Sequence, residues 1–206
     1  MTFPDEKYKD IAAYGDAYFE RLGKAAASVD RGKLGEAARI LTDVYRRRAT
    51  LYVCGNGGSA VISATFVCDH VKLIQTDTDL VPRVVSLNDN ISMITAISND
   101  ISYDDIFVYQ LKSSADPGDA LLTISSSGDS ENVVRAAQWA RNNKLEVISF
   151  TGFSGGRTAK TATVNLHVEA DNYGIIEDTH QSLMHILAQY IRLSIMPPDL
   201  IAKRKF

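Results

Sequence analysis

The sequence predicts an α/β fold: a three-layer sandwich built on a five-stranded, mostly parallel sheet with helices on both faces, preceded by two helices. Three features predict it. Short apolar runs alternate with stretches of helical periodicity, the pattern of parallel strands joined by crossover helices. Two of the runs end in loops rich in glycine and serine that lead straight into helices. A length of 206 residues suits one such domain with a small extension.

Taken in order, Tyr14, Tyr18, Leu22 and Ala25 recur at helical spacing, Asp30 to Leu34 interrupts it, and Leu34, Ala37, Ala38, Leu41 and Val44 resume it. Residues 1–48 therefore form a helical extension whose apolar stripes need a cover, which equivalent helices of other subunits supply. The main domain, 49–196, begins with TLYVCG (50–55) and a helix from about Ser59 to Ile74. PRVVSL (82–87) precedes helices from about Asn90 and Asp104. DALLTIS (119–125) leads to a helix over 129–143, LEVISFTG (145–152) and TVNLHV (163–168) follow, and a long helix from about Ile175 to Ile195 closes the domain. Two prolines end it, and residues 197–206 read as a loose basic tail. Right-handed crossovers between such strands make a doubly wound sheet, whose ligands bind at the carboxyl ends of the strands.

A formal net charge of -3, with 45% hydrophobic and 23% charged residues, provides no basic field for nucleic acid or an anionic membrane. The N-terminus MTFPDEKYKD has no signal-like apolar run, and no segment approaches the roughly 18 apolar residues of a membrane span, so a cytoplasmic location is expected. Cys54 and Cys68 both lie in apolar segments, which predicts buried thiols rather than a disulfide or a cysteine zinc site. A small ligand is the expected partner.

The carboxyl-end rule singles out GNGGS (55–59) and SSSGDS (125–130). Gly57 and Gly58 permit positive φ and close backbone approach, while Asn56 and Ser59 either bond a ligand or cap the helix. One serine is enough for a cap, whereas Ser125, Ser126, Ser127 and Ser130 place several hydroxyls beside the free N–H groups of a helix start. That matches a phosphate monoester held without lysine or arginine. Asp129 and Glu131 in the same turn are ordinary dipole partners, and would repel phosphate if they faced it. Neither the Walker spacing nor the Gly-x-Gly-x-x-Gly fingerprint is present, which disfavours nucleoside triphosphates and NAD.

Five stretches in this order, CGNGGS (54–59), AISNDISYDDIF (96–107), ISSSGDSENV (124–133), TGFSGG (151–156) and EDTHQSLMHIL (177–187), follow the two leading helices. Together they resemble the sugar isomerase (SIS) domain family, and more closely its phosphoheptose isomerase branch, which interconverts sedoheptulose 7-phosphate and a heptose 7-phosphate. The resemblance spans nearly the whole chain. It implies a homotetramer with the leading helices in a central bundle, and a phosphorylated sugar gripped by Ser125, Ser126, Ser127 and Ser130. Asn56, Gly57 and Gly58 would contact the sugar chain, and Asn99 and Asp100 its hydroxyls. It also implies an acid–base pair, a glutamate in the helix after GNGGS and a histidine in the last helix, with zinc between them in many members through a further histidine and a glutamine. Those positions are here Asp69, His185, Thr65 and Glu177.

Three of the four depart from the family pattern. Asp69 keeps the carboxylate but is one methylene shorter, the Thr65 hydroxyl is a poor zinc ligand, and Glu177 brings a negative charge where the amide was neutral. A divalent metal such as zinc would then rest on Asp69, Glu177 and His185, or the site holds none. Spacing supports the cluster from the residues themselves: Thr65 and Asp69 are four apart, and Glu177, Gln181 and His185 follow at i, i+4 and i+8, so each set forms one helical stripe. His180 lies off that stripe, and Cys68 beside Asp69 reads as core rather than nucleophile.

Aldose–ketose isomerisation moves a proton between adjoining carbons through an enediol while a second group shuttles protons between the oxygens. A carboxylate and an imidazole suit those tasks near neutral pH. Asp69 is expected at carbon and His185 at oxygen, or the reverse, with the phosphate loop supplying remote binding energy. The alternatives are an isomerase for another sugar phosphate and a non-catalytic module that binds a phosphosugar or a protein.

Overall fold

The computed structural model describes residues 2–206. Helices α1 (Ile11–Ser28) and α2 (Arg31–Arg46) lead the chain. The break between them has a local cause: Asp30 accepts from the N–H groups of Gly32 and Lys33 and so caps α2. There follow β1 (Thr50–Gly55), α3 (Gly58–Cys68) running into a π-helical turn over Asp69–Leu73, β2 (Arg83–Ser86), α4 (Ile91–Asp100), a 3-10 turn over Tyr103–Asp105 and α5 (Ile106–Ser114). The second half holds β3 (Ala120–Ser125), α6 (Glu131–Asn142), β4 (Glu146–Thr151), α7 (Gly156–Thr161), β5 (Val164–His167), α8 (Tyr173–Ile195) and α9 (Pro198–Ile201). Helices α7 and α9 are too short for periodicity to reveal them.

All five strands are parallel, in the order β2-β1-β3-β4-β5. The chain leaves β1 for one neighbour and returns on its other side, so a switch point lies between β1 and β3. Both strands are buried throughout, as parallel strands covered on two faces are. Alternation sends Leu51 and Val53 into the core shared with Leu41, Phe66 and Leu187, and Tyr52 and Cys54 into the core shared with Ile97, Phe107 and Val133. Register pairs Gly55 with Ile124, which brings the loops after β1 and β3 side by side.

Two expectations change. Cys54 is buried but Cys68 is exposed: the buried face of α3 carries Ile62, Ser63 and Phe66, and a residue two beyond Phe66 is turned about 200° away from it. The C-terminal tail is exposed yet anchored rather than loose. Arg204 donates to both Asp77 carboxylate oxygens at 2.9 Å, and the buried Arg192 donates to the Lys205 carbonyl. No helix among the described residues is long and apolar enough to cross a membrane.

Candidate active site

At the switch point lies a cleft of about 130 Å³. Ser125, Ser126, Ser127 and Ser130 line one side, Asn56 and Ser59 the other, and Tyr173 and Glu177 of α8 close it. The serines have different tasks. Ser125 Oγ accepts from the Gly128 N–H and Ser127 Oγ from the Asp129 N–H, each at 3.2 Å, and these bonds shape the turn. Ser126 Oγ is buried with no hydrogen-bond partner among the described residues, and Ser130, although it is the N-cap of α6, makes no side-chain capping bond. Two hydroxyls are therefore free beside a helix start, where N–H groups and the dipole favour an anion. An unpaired buried hydroxyl costs about 1–3 kcal/mol, which a ligand oxygen offsets.

The TGFSGG loop is the mould under the serines. Gly128 has φ +64°, and a Cβ there would fall 2.0 Å from the Gly155 carbonyl oxygen. The Gly152 N–H donates to the Ser126 carbonyl at 2.8 Å and the Thr158 N–H to the Gly128 carbonyl at 2.9 Å. Asp129 and Glu131 do not line the cleft. Arg157 of α7 donates to Asp129 and, at 2.7 Å, to Glu131, while Arg135 donates to Glu131 at 2.8 Å. Arg157 beside Asp129, and Arg135 with Arg157 beside Glu131, hold both carboxyls below their usual range. A cation thus does neutralise this loop, from a helix that sequence reasoning misses; its one signal is that Arg157 directly follows TGFSGG.

Asn56 and Asn132 exchange amide hydrogen bonds at 2.9 and 3.0 Å, and Tyr103 Oη donates to Asn56 Oδ1 at 3.0 Å. Sequence reasoning misses Asn132 and Tyr103 too, because alone they read as an ordinary helix and turn residue. Gly57 caps α3 at φ +56°, and the Glu177 carboxylate occupies the space that a Cβ on Gly58 would need. Burial, then Asp178, raises the pKa of Glu177. Asn99 and Asp100 end α4, exposed and bonded to one another at 2.7 Å, outside the cleft of the single chain.

Two turns further along α8, His185 Nδ1 lies 2.8 Å from Asp69 Oδ2 and His185 Nε2 lies 3.1 Å from Gln181 Nε2. An amide nitrogen only donates, so Nε2 accepts and Nδ1 carries the proton that is donated to Asp69. Of the two stripes expected from spacing, Asp69, His185 and Gln181 come together. Thr65 donates to the Val61 carbonyl at 3.1 Å, and Glu177, eight residues or about 12 Å up the helix, stays with the serine cleft. The set Asp69, Glu177 and His185 is therefore not gathered around one point, and among the described residues no three His, Cys, Asp or Glu converge to hold a metal ion. The donors present do not fit a zinc site. His180 is buried against Phe150, ring centroids 5.7 Å apart, and burial drives its pKa down to about 4, as in a core histidine.

The SIS domain model matches residues 14–152. A probable phosphoheptose isomerase of Thermoplasma volcanium is 35% identical over 174 residues, 84% of this chain and 88% of that one. A phosphoheptose isomerase of Mycobacterium tuberculosis is 35% identical over 167 residues, 79% and 85% of the two chains. Among solved structures, a phosphoheptose isomerase from Francisella tularensis has a TM-score of 0.81 at 27% identity, covering 89% of this chain and 96% of that one. The chain belongs to the SIS domain family, in its phosphoheptose isomerase branch.

Proposed function

We propose that the protein is an aldose–ketose isomerase that converts sedoheptulose 7-phosphate to a heptose 7-phosphate through an enediol. The observation that carries this reading is the 2.8 Å bond between Asp69 and His185, on the same helix as the cleft that suits a dianion. Glu177 beside the cleft and His185 are separated by about 12 Å along α8, the length scale of an extended sugar with phosphate at one end and carbonyl near the other.

Ser125, Ser126, Ser127 and Ser130 grip the phosphate in this reading. Asn56, Gly57, Gly58, Ser59 and Glu177 line the sugar chain, and Asn99 and Asp100 serve its hydroxyls. Asp69 Oδ1, to which no described residue donates, takes the proton from the carbon beside the carbonyl and returns it to the adjoining carbon. His185, its Nδ1–H held by Asp69, moves the proton between the two oxygens through Nε2, where the substrate replaces the Gln181 amide. Each step uses the chain's own groups. The working form is a cytoplasmic homotetramer: Ile11 and Phe19 stand exposed on α1, and an apolar groove of about 480 Å³ runs between α2 and α8 past Leu34, Ala38, Ile186 and Tyr190.

The departures at Thr65, Asp69 and Glu177 favour a second reading, an isomerase for a different sugar phosphate. Assaying sugar 7-, 6- and 5-phosphates with the natural protein, Asp69→Asn and His185→Gln separates these. Turnover highest on sedoheptulose 7-phosphate and lost in both variants is expected. Undiminished turnover in the variants sinks the residue assignment, and binding without turnover by the natural protein points to a non-catalytic module.

A further inference from the structure

The π-helical turn over Asp69–Leu73 begins at the residue that meets His185. Such a turn inserts an extra residue into the helical ladder, re-aims the side chains around it, and is found often at functional sites. The residue that follows Asp69 is His70, and it is fully buried. Its ring stacks on Phe66 with centroids 3.7 Å apart and planes 13° from parallel. Its Nδ1 lies 2.7 Å from Oη of Tyr45, a residue of α2 that is itself buried. Its Nε2 is buried with no hydrogen-bond partner among the described residues, and the π turn that carries the ring packs against α8, the helix of His185.

His70 is thus next to Asp69 in sequence and next to the carrier of His185 in space. A leucine in its place would fill apolar surroundings without the cost of burying imidazole and phenol polar atoms. What the polar pair supplies instead is direction, because a hydrogen bond fixes a ring's rotation as packing alone does not. We propose that Tyr45 and His70 are positioning residues: the Tyr45 hydroxyl anchors the His70 ring, the ring pins the π turn against α8, and the Asp69 carboxylate is thereby held on His185. The proposal rests on the acid–base reading of the Asp69–His185 pair, and the experiment separates the two.

Tyr45→Phe removes one buried oxygen and keeps the ring, and His70→Leu removes the imidazole that Tyr45 anchors. With only four histidines in the chain, nitrogen NMR resolves the His185 Nδ1 signal, and Asp69→Asn marks where that signal lies without its carboxylate. In both variants the signal should move at least halfway to the Asp69→Asn position. At the same time kcat on sedoheptulose 7-phosphate should fall about tenfold with KM within about twofold, since misplacing reacting groups costs rate while the remote grip is untouched. A purely structural role lowers Tm and leaves the signal where it was. Either a stationary His185 signal or an unchanged kcat in folded Tyr45→Phe, with Asp69→Asn inactive, overturns the proposal. An active Asp69→Asn defeats the acid–base reading instead, and the NMR signal alone then decides whether Tyr45 and His70 hold the pair together.

Discussion

The serine cleft and the Asp69–His185 pair share one long helix but are built in different ways. The cleft is mostly backbone: two adjoining loops, glycines at positive φ, and hydroxyls beside a helix start. The pair is made of side chains 116 residues apart, on two helices whose mutual register must be right. A grip on phosphate can be written in six contiguous residues. A reacting pair depends on everything that sets the pitch of α3 against α8, the π turn and its buried His70 included.

That contrast predicts where each region fails. Gly128→Ala should do the most damage to the cleft, because its φ of +64° disfavours a side chain and the added Cβ meets the Gly155 carbonyl. A loss of about 3 kcal/mol in urea unfolding is expected, and unchanged stability would show that the two loops are not clamped together.

Acid tests whether both regions share one stability, since His70 backs the pair and His180 lies against Phe150 of β4. The unfolded chain titrates these rings near 6.5, whereas burial drives them to about 3 and about 4 in the folded protein. Between those values the unfolded state binds more protons. Stability is therefore full above pH 6.5 and falls as pH drops toward the folded values, by about 1 kcal/mol per pH unit for each ring. Denaturation midpoints measured from pH 7 downward check this, and a flat profile contradicts the burial of the two rings.

Ser126→Ala separates binding from folding at a single atom. It removes a buried hydroxyl with no partner among the described residues, so the ligand-free protein should gain up to about 1 kcal/mol. KM should rise about tenfold with kcat unchanged, the loss of one charge-assisted bond. A fall in kcat instead would mean that the grip and the chemistry are not separate. Arg157→Ala should have the smallest effect. Freeing Asp129 beside the cleft raises KM about two- to threefold, and less at high salt because Asp129 and Arg157 are solvent-exposed; salt-independent KM would place its charge elsewhere.

The sheet was legible because each strand is an apolar run followed by a helix, and the serine loop because its chemistry is contiguous. Residues that work across the fold were harder to see. Arg157 belongs to a six-residue helix without readable periodicity, and Asn132 looks like any helix residue until Asn56 is brought against it. Spacing alone put Gln181 and His185 on one stripe, but could not show that Glu177 would turn onto Gly58 and leave the pair. The π turn was hidden because the composition of α3 continues through it. Cys68 was misread for a related reason: an apolar segment does not say which of its faces is covered.

The central claim is that grip and chemistry are separable, and calorimetry of sedoheptulose 7-phosphate binding to His185→Gln, paired with its turnover, tests it most directly. The account predicts a Kd within about threefold of the natural protein and a kcat lower by about a thousandfold, within the range for loss of a general acid–base group. Binding lost in step with turnover, or turnover that survives, would contradict it.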